Sequence, residues 1–190
     1  MRELVYTGFM SLDGVMDSPG GTVEGHRSGG WVFETEFVPE AYSLKAEELE
    51  ETTALMFGRR SYEAFAPVWR DSADHVGYKE LPKYVVSSTL GEDAVIDGWG
   101  PITILRSTED VAALKAQDGG AIFIHGSSEL ARTLSDADLI DRYNLLVFPV
   151  LLGAGKSAFS RADRDKLNLS VRESATYSNG VVKLCYDVKR

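Results

Sequence analysis

The sequence has a single cysteine, Cys185, among its 190 residues. One thiol cannot form an internal disulfide, and such sparse use of cysteine is typical of proteins in a reducing compartment. The N-terminal residues begin a strand pattern at once and lack the layout of a signal peptide. Cys185 lies in an apolar stretch of strand type, where we expect it to be buried. We therefore expect a cytoplasmic protein whose cysteine has a packing role.

The chain also lacks concentrated positive charge. Its net charge is −9, from 20 basic and 29 acidic residues, and no basic run exceeds two residues. Surfaces that bind nucleic acid or anionic membranes need clustered Lys and Arg. No apolar stretch approaches the roughly 20 residues that cross a bilayer. These absences argue against nucleic acid and membranes as partners, and we expect a small-molecule substrate.

Metal ligands and two common catalytic motifs are missing as well. The three histidines, His26, His75 and His125, are far apart, whereas a zinc site uses Cys and His residues at short spacings. The chain has no Gly-x-Ser-x-Gly motif and no phosphate-binding loop of the Walker type. We therefore expect no metal site.

Strand and helix patterns alternate over the first two thirds of the chain. This alternation predicts parallel strands joined by helices, and Asn179-Gly180 predicts a hairpin turn near the C-terminus. We predict one α/β domain over residues 1–190, with a mixed, mostly parallel sheet and a C-terminal antiparallel hairpin. The predicted strands are 3–10, 55–57, 83–88, 102–105, 122–124, 142–150, 171–176 and 181–188. The predicted helices are 39–51, 59–65, one that Thr108 caps and Gly119 ends, and 128–134.

Two junctions have the form of a strand followed by glycine and a helix. One is His125-Gly126-Ser127-Ser128, and the other is Gly58-Arg59-Arg60. Such a junction directs backbone N–H groups and the positive end of a helix dipole outward, which favours phosphate. The alternative for each turn is a plain tight connection. Two such turns in one small α/β chain indicate a nucleotide cofactor.

The stretch 11–30 contains seven glycines or prolines. A loop of this length inside a compact domain usually has a function. It directly follows the first predicted strand, and we expect it to cover a bound ligand.

Five short motifs follow one another along nearly the whole chain. They are Ser11-Leu-Asp-Gly14, Gly58-Arg-Arg-Ser-Tyr-Glu63, Lys83-Tyr-Val-Val-Ser-Ser88, His125-Gly-Ser-Ser-Glu-Leu130, and Asp141 leading into Leu145 to Lys156 with Phe159. In this order they resemble the dihydrofolate-reductase-like superfamily, in particular the branch of the riboflavin-biosynthesis reductase, or RibD C-terminal, domain. The resemblance implies a three-layer α/β/α sandwich, a single-domain oxidoreductase and a homodimer.

The resemblance also implies that NADPH binds along the ends of the parallel strands. The matching positions are Thr7 and Gly8 at the nicotinamide, Gly58, Arg59 and Arg60 at the adenine-side phosphates, Ser87 and Ser88 at the ribose 2′-phosphate or the adenosine, and Gly126, Ser127 and Ser128 at the diphosphate. Guanidinium groups suit phosphate because they form paired hydrogen bonds. The alternatives are solvated arginines, turn serines and a strand bulge at Gly8. Ser127 replaces the second glycine that folate reductases have at this turn.

The substrate side of the resemblance is less complete. Folate reductases grip the pterin with one carboxylate before the second strand, and here Glu34, Glu36, Glu40 and Tyr42 occupy that region. The candidates for substrate contact are Asp13, which also suits a turn, Trp31, Glu36 and Tyr62, with Phe33, Phe65 and Trp69 as further aromatics. The zinc deaminase domain of the full riboflavin enzymes is absent from this sequence.

Two functions remain open from the sequence. The first is an NADPH-dependent reductase of a small heterocyclic substrate, either pterin-like or a riboflavin precursor. The second is a non-catalytic, nucleotide-binding and dimer-forming protein with the same fold. For the dimer, we expect the hairpin and the apolar segment Leu145–Leu152 to form an exposed side of the sheet.

Overall fold

The computed structural model describes residues 1–22, 24–159 and 166–190. Val23, part of the loop predicted at 11–30, lies outside the described residues. The strands are β1 (Leu4–Ser11), β2 (Thr52–Gly58), β3 (Lys83–Val86), β4 (Ile102–Leu105), β5 (Ala121–His125), β6 (Arg142–Phe148), β7 (Leu169–Thr176) and β8 (Val182–Val188). The α-helices are α1 (Ser43–Glu51), α2 (Arg59–Trp69), α3 (Thr108–Ala116) and α4 (Ser128–Asp136). Short 3₁₀ helices lie at Trp31–Glu34, Pro39–Tyr42, Ala73–Tyr78 and Glu92–Ala94.

The eight strands form one sheet in the order β4-β3-β2-β5-β1-β6-β8-β7. Strands β1 to β6 run parallel to one another, and β8 is antiparallel to both β6 and β7. This topology confirms the predicted α/β fold with a mostly parallel sheet and a C-terminal antiparallel hairpin.

The helices cover both faces of the sheet. Val111 of α3 and Leu134 of α4 belong to the apolar cluster on one face. Ala66 of α2 and Leu44 of α1 belong to clusters on the other face. Successive residues of β2 alternate between the two faces, as the period of a strand requires. The three layers are therefore α1 and α2, the sheet, and α3 and α4.

Several predicted boundaries move in the structure, and two of these shifts have a clear local cause. The cap of α3 is Ser107 rather than Thr108, because Asp110 lies three residues after Ser107 and completes a capping box with it. Strand β6 ends at Phe148, since Pro149 has no N–H group to continue the ladder.

The predicted exposed side of the sheet is correct for the hairpin, whose strand β7 is an edge, and wrong for the strand that begins the segment Leu145–Leu152. Strand β6 lies between β1 and β8, so it is an inner strand, and the edges of the sheet are β4 and β7. Leu145 and Val147 are accordingly buried inside the chain. An interface between two copies would have to use residues other than Leu145 and Val147.

Helix α1 differs from its predicted packing. Ala41, Leu44, Ala46 and Leu49 recur at helical spacing and predict an apolar inner face, but the buried residues of α1 are Leu44 and Glu48. A carboxylate is thus held against the middle of the sheet, where a buried charge needs partners.

Candidate functional site

A cleft of about 1350 Å³ lies at the carboxyl ends of the parallel strands. This is where ligands bind in open α/β sheets. All ten residues predicted to contact the cofactor line it: Thr7, Gly8, Gly58, Arg59, Arg60, Ser87, Ser88, Gly126, Ser127 and Ser128. The structure therefore brings together residues that lie up to 121 positions apart in the sequence, from Thr7 to Ser128.

The turn between β5 and α4 uses two residues in the left-handed region. Gly126 has φ +59° and Ser127 has φ +57°. A side chain at 126 would bring its Cβ within 3.1 Å of the Phe65 ring, so glycine suits this position both sterically and conformationally. Ser127 takes a conformation that a second glycine would adopt more easily. No side chain caps the N-terminus of α4, which leaves its N–H groups available to an anion.

The two glycine turns are joined by a hydrogen bond. The backbone N–H of Gly58 donates to Ser127 Oγ at 2.8 Å, which holds the start of α2 beside the start of α4. No side chain caps α2 either, and its first turn contains no acidic residue. Two helix N-termini therefore meet at one part of the cleft.

The two arginines at the start of α2 have different surroundings. Arg59 donates to Glu63 at 2.7 Å and to Thr89 Oγ1 at 2.9 Å. Arg60 is 76% exposed, and its contact with Glu129 is 3.5 Å. Arg59 is thus the better positioned of the two.

The serines after β3 also differ from each other. Ser87 is buried, and its hydroxyl accepts hydrogen bonds from the N–H groups of Thr89 and Leu90. Its position fits the turn alternative. Ser88 is exposed and lines the cleft, so its hydroxyl is the more accessible.

The third helix N-terminus at this edge carries residues that the sequence reasoning missed. Arg106, Ser107 and Thr108 line the cleft. Arg106 donates to the carbonyl oxygens of Ser87 and Leu90 at 3.1 and 2.7 Å, which fixes its guanidinium beside the β3 turn. Because α3 is closed by its own capping box, it offers less to an anion than α2 and α4.

A polar row crosses the sheet at the other end of the cleft. Thr7 of β1 is in register with His125 of β5 and with Asn144 of β6. Lys45 of α1 donates to Thr7 Oγ1 and to Glu48 at 2.9 Å. The second oxygen of Glu48 accepts from Asn144 Nδ2 at 2.9 Å.

The buried charge of Glu48 is maintained by these partners. Burial acts to raise the pKa of Glu48, but the charge of Lys45 and the hydrogen bonds to the carboxylate outweigh it and hold the pKa below its usual value. The carboxylate of Glu48 is therefore ionised at neutral pH.

His125 remains uncharged in the same row. Burial, followed by the nearby charge of Lys45, lowers the pKa of His125 to about 3. Its ring lies among aromatic side chains, including Phe57, Trp69 and Tyr78. Among the described residues, Nε2 has no hydrogen-bond partner.

The sequence reasoning did not find Lys45, Glu48 or Asn144. The sequence contained a signal for Asn144, because it is a polar residue within an apolar central strand, as Thr7 is.

The four residues predicted to contact substrate do not meet in this cleft. Trp31 is buried and donates from Nε1 to the carbonyl of Asp17. The hydroxyl of Tyr62 donates a hydrogen bond to the carbonyl of Ala94 and accepts one from the N–H of Ile96. Both rings therefore belong to the core. The sequence does not show this, because aromatic residue type alone does not decide between core and pocket.

Asp13 and Glu36 do not line the large cleft either. Asp13 accepts from the Ser11 hydroxyl and from the N–H groups of Gly153 and Leu152. These bonds lower its pKa to about 2 and support the turn interpretation. Glu36 lines a smaller hollow of about 400 Å³, which adjoins the cleft because Phe9 and Phe33 line both.

The loop after β1 passes over the end of that strand. A Cβ at position 8 would lie 2.8 Å from Met16 Cε and 3.2 Å from the Tyr6 hydroxyl, so glycine allows the close approach of Met16. Asp17 pairs with Lys156 at 3.3 Å, and the Met16 N–H donates to the Lys156 carbonyl. The loop is thereby linked to the segment after β6.

Within the described ranges, no group of three or more His, Cys, Asp or Glu side chains could hold a metal ion. Across the same residues, no helix has both the length and the apolar character of a membrane span.

The RibD C-terminal domain family matches residues 2–183. The uncharacterized protein YyaP of Bacillus subtilis is 30% identical over 145 residues, which are 73% of this chain and 75% of that protein.

Solved structures that share the fold include the following three. A protein of Shewanella sp. PV-4 that has been assigned to riboflavin biosynthesis is 21% identical, with a TM-score of 0.78 and 99% of both chains covered. The dihydrofolate reductase of Enterococcus faecalis, solved in complex with NADP(H), is 16% identical, with a TM-score of 0.63 over 99% of this chain and 97% of that one. A pyrimidine reductase-like protein of Corynebacterium diphtheriae is 13% identical, with a TM-score of 0.60 over 99% and 92%.

Proposed function

Because the chain belongs to the RibD C-terminal domain family, we propose that it is an NADPH-dependent reductase. It transfers hydride directly to a small heterocyclic substrate that resembles a pterin or a riboflavin precursor. The observation that carries the proposal is the meeting of two uncapped helix N-termini, those of α2 and α4, in one large cleft.

The residues of the cleft fit the charge and shape of NADPH. The N-terminal amides of α2 and α4, with Gly126, suit a diphosphate. Arg59, Ser88 and Arg106 surround the place for a 2′-phosphate, since all three line the cleft near the β3 turn. Thr7 and Gly8 lie at the remaining end, where the nicotinamide would bind.

The bound cofactor would supply the hydride. The chain's own task is to hold donor and acceptor carbons together and to exclude water. Gly8 has no side chain, and Met16 from the loop packs closely against it. The loop at 11–30 is thus placed to close over the reaction end.

A fluorescence titration tests the cofactor assignment. We expect NADPH to bind more tightly than NADH, and we expect its oxidation when a panel of pterins and pyrimidines is added. Equal affinity for the two nucleotides would contradict the roles of Arg59 and Ser88. Binding of NADPH without oxidation by any acceptor would support the non-catalytic nucleotide-binding alternative.

We also propose a homodimer. The described surface includes exposed apolar side chains at Phe33, Phe37 and Leu151, and at Val171 on edge strand β7. Light scattering at micromolar concentration measures the state. A mass near the 20.8 kDa of one chain would refute the dimer, and a doubled mass would support it.

A further inference from the structure

Helix α1 places a positive charge at the reaction end of the cleft. The Lys45 side chain is 26% exposed and lines the cleft, whereas its partner Glu48 is 1% exposed. The ammonium also lies 5.3 Å from the centre of the Phe9 ring. The buried Glu48 therefore holds the Lys45 ammonium on its inner side, and the ammonium remains accessible from the cleft.

The hydrogen bonds of Lys45 leave room for a ligand. An ammonium has three N–H donors, and among the described residues Lys45 uses them on two partners, Thr7 and Glu48. One donor remains. Since Thr7 precedes Gly8 on β1, this donor lies beside the position proposed for the nicotinamide.

Two acidic residues of the loop after β1, Asp17 and Glu24, also line the cleft. Asp17 pairs with Lys156 at 3.3 Å, and Glu24 accepts from the Ser18 N–H at 2.9 Å.

Both oxygens of Glu48 are engaged, one by Lys45 and the other by Asn144. Glu34 and Glu36 line the smaller hollow, which adjoins the cleft, and Glu40 does not line the large cleft. Helix α1 thus presents the ammonium of Lys45 to the cleft, while its carboxylate Glu48 is engaged by Lys45 and Asn144.

We propose that Lys45 contacts the substrate and selects a heterocycle that presents an accepting oxygen, such as a ring carbonyl or its enolate, over one that presents a protonated amidine. Glu48 and Asn144 are positioning residues, because they act by fixing the Lys45 ammonium. This inference rests on the proposed function, since it places the substrate at the nicotinamide end of the cleft.

A matched pair of fluorescent probes tests the selectivity. Lumazine carries two ring carbonyls, and 2,4-diaminopteridine carries amino groups at the same two positions. Each is titrated into the protein with and without saturating NADP⁺. We expect lumazine to bind more tightly to the wild type. Lys45→Met should weaken lumazine by at least about tenfold, the loss expected for a hydrogen bond to a charged group, and should leave the diamino probe unaffected. Lys45→Glu should reverse the preference.

The control is Lys189→Met, which removes the same charge at an exposed position away from the cleft. It should keep the wild-type preference. A wild type that prefers 2,4-diaminopteridine, or a Lys45→Met variant that binds lumazine as the wild type does, would overturn the proposal. A protein that binds no NADPH but keeps the lumazine preference would contradict the proposed function and leave the role of Lys45 intact.

A measurement on the wild type covers the case in which the variants do not fold. In protein with isotope-labelled lysine, the Lys45 ammonium signal should shift when lumazine is added and stay unchanged with 2,4-diaminopteridine. Glu48→Gln should reduce that shift while Glu48→Asp restores part of it, because a carboxylate is needed to position the ammonium. A Lys45 signal that lumazine does not move would refute the contact.

Discussion

The two ends of the cleft are built from different parts of the chain. The cofactor end consists mainly of backbone: two glycine turns, two uncapped helix N-termini and the hydrogen bond from Gly58 to Ser127. The substrate end consists of side chains from α1, β1, β5 and β6. Among them, Lys45 and Asn144 each donate a hydrogen bond to Glu48. The cofactor end should therefore be sensitive to substitutions that change backbone conformation, and the substrate end to substitutions that change side-chain charge.

The largest effect should come from the buried carboxylate. Replacing Glu48 by Leu leaves Lys45 and the buried Asn144 without their shared acceptor, and the loss of an acceptor by such groups lowers stability by about 3 kcal/mol. Urea unfolding measures the loss. Glu47→Leu is the matched control, because Glu47 is 54% exposed and its contact with Lys183 is 3.5 Å. Equal losses in the two variants would mean that the substrate end does not depend on buried charge.

His125 should give the substrate end a dependence on pH. Its pKa is about 3 when folded, against roughly 6.5 in an unfolded chain. Between these values the unfolded state binds more protons, so stability is complete above pH 6.5 and falls as the pH drops toward 3. The slope from this group is about 1.4 kcal/mol per pH unit.

His125→Phe should remove that slope. Unfolding midpoints of the variant and the wild type, taken at several pH values, should diverge below pH 6.5 and run parallel above pH 7. His75, whose pKa burial also lowers, contributes equally to both proteins and cancels in the difference. Parallel curves throughout the acid range would show that His125 is not held neutral.

The sequence predicted one end of the cleft much better than the other. Gly58 and Gly126 can be recognised because a strand, a glycine and a helix follow one another locally. Lys45 could not, because its contact with Thr7 depends on how α1 packs on the sheet. The helix spacing favoured an apolar inner face and gave no sign that Glu48 is buried. Trp31 and Tyr62 belong to the core, but their residue type alone does not tell whether an aromatic side chain faces the core or a pocket.

The next effect concerns the cofactor end. Arg59→Ala should weaken NADPH by roughly 1.5–3 kcal/mol, the range for a hydrogen bond to a charged group, and should change NADH much less. Arg60→Ala is the control, because that side chain is 76% exposed and exposed ion pairs contribute about 0–1 kcal/mol. Parallel titrations of both variants with both nucleotides decide the matter. A loss that is equal for NADPH and NADH would place Arg59 away from the 2′-phosphate.

The smallest expected effect distinguishes a change in NADPH affinity from a loss of folding stability. Gly126→Ala and Gly180→Ala both force a Cβ into the left-handed region, at φ +59° and +83°, which lowers stability by about 1–2 kcal/mol in each case. Only Gly126 lines the cleft, and only there does the backbone itself face the ligand. NADPH affinity should therefore fall in the first variant and stay at the wild-type value in the second. If the two variants bind alike, the β5–α4 turn is a plain connection, and the contrast between a backbone-built and a side-chain-built end of the cleft does not hold.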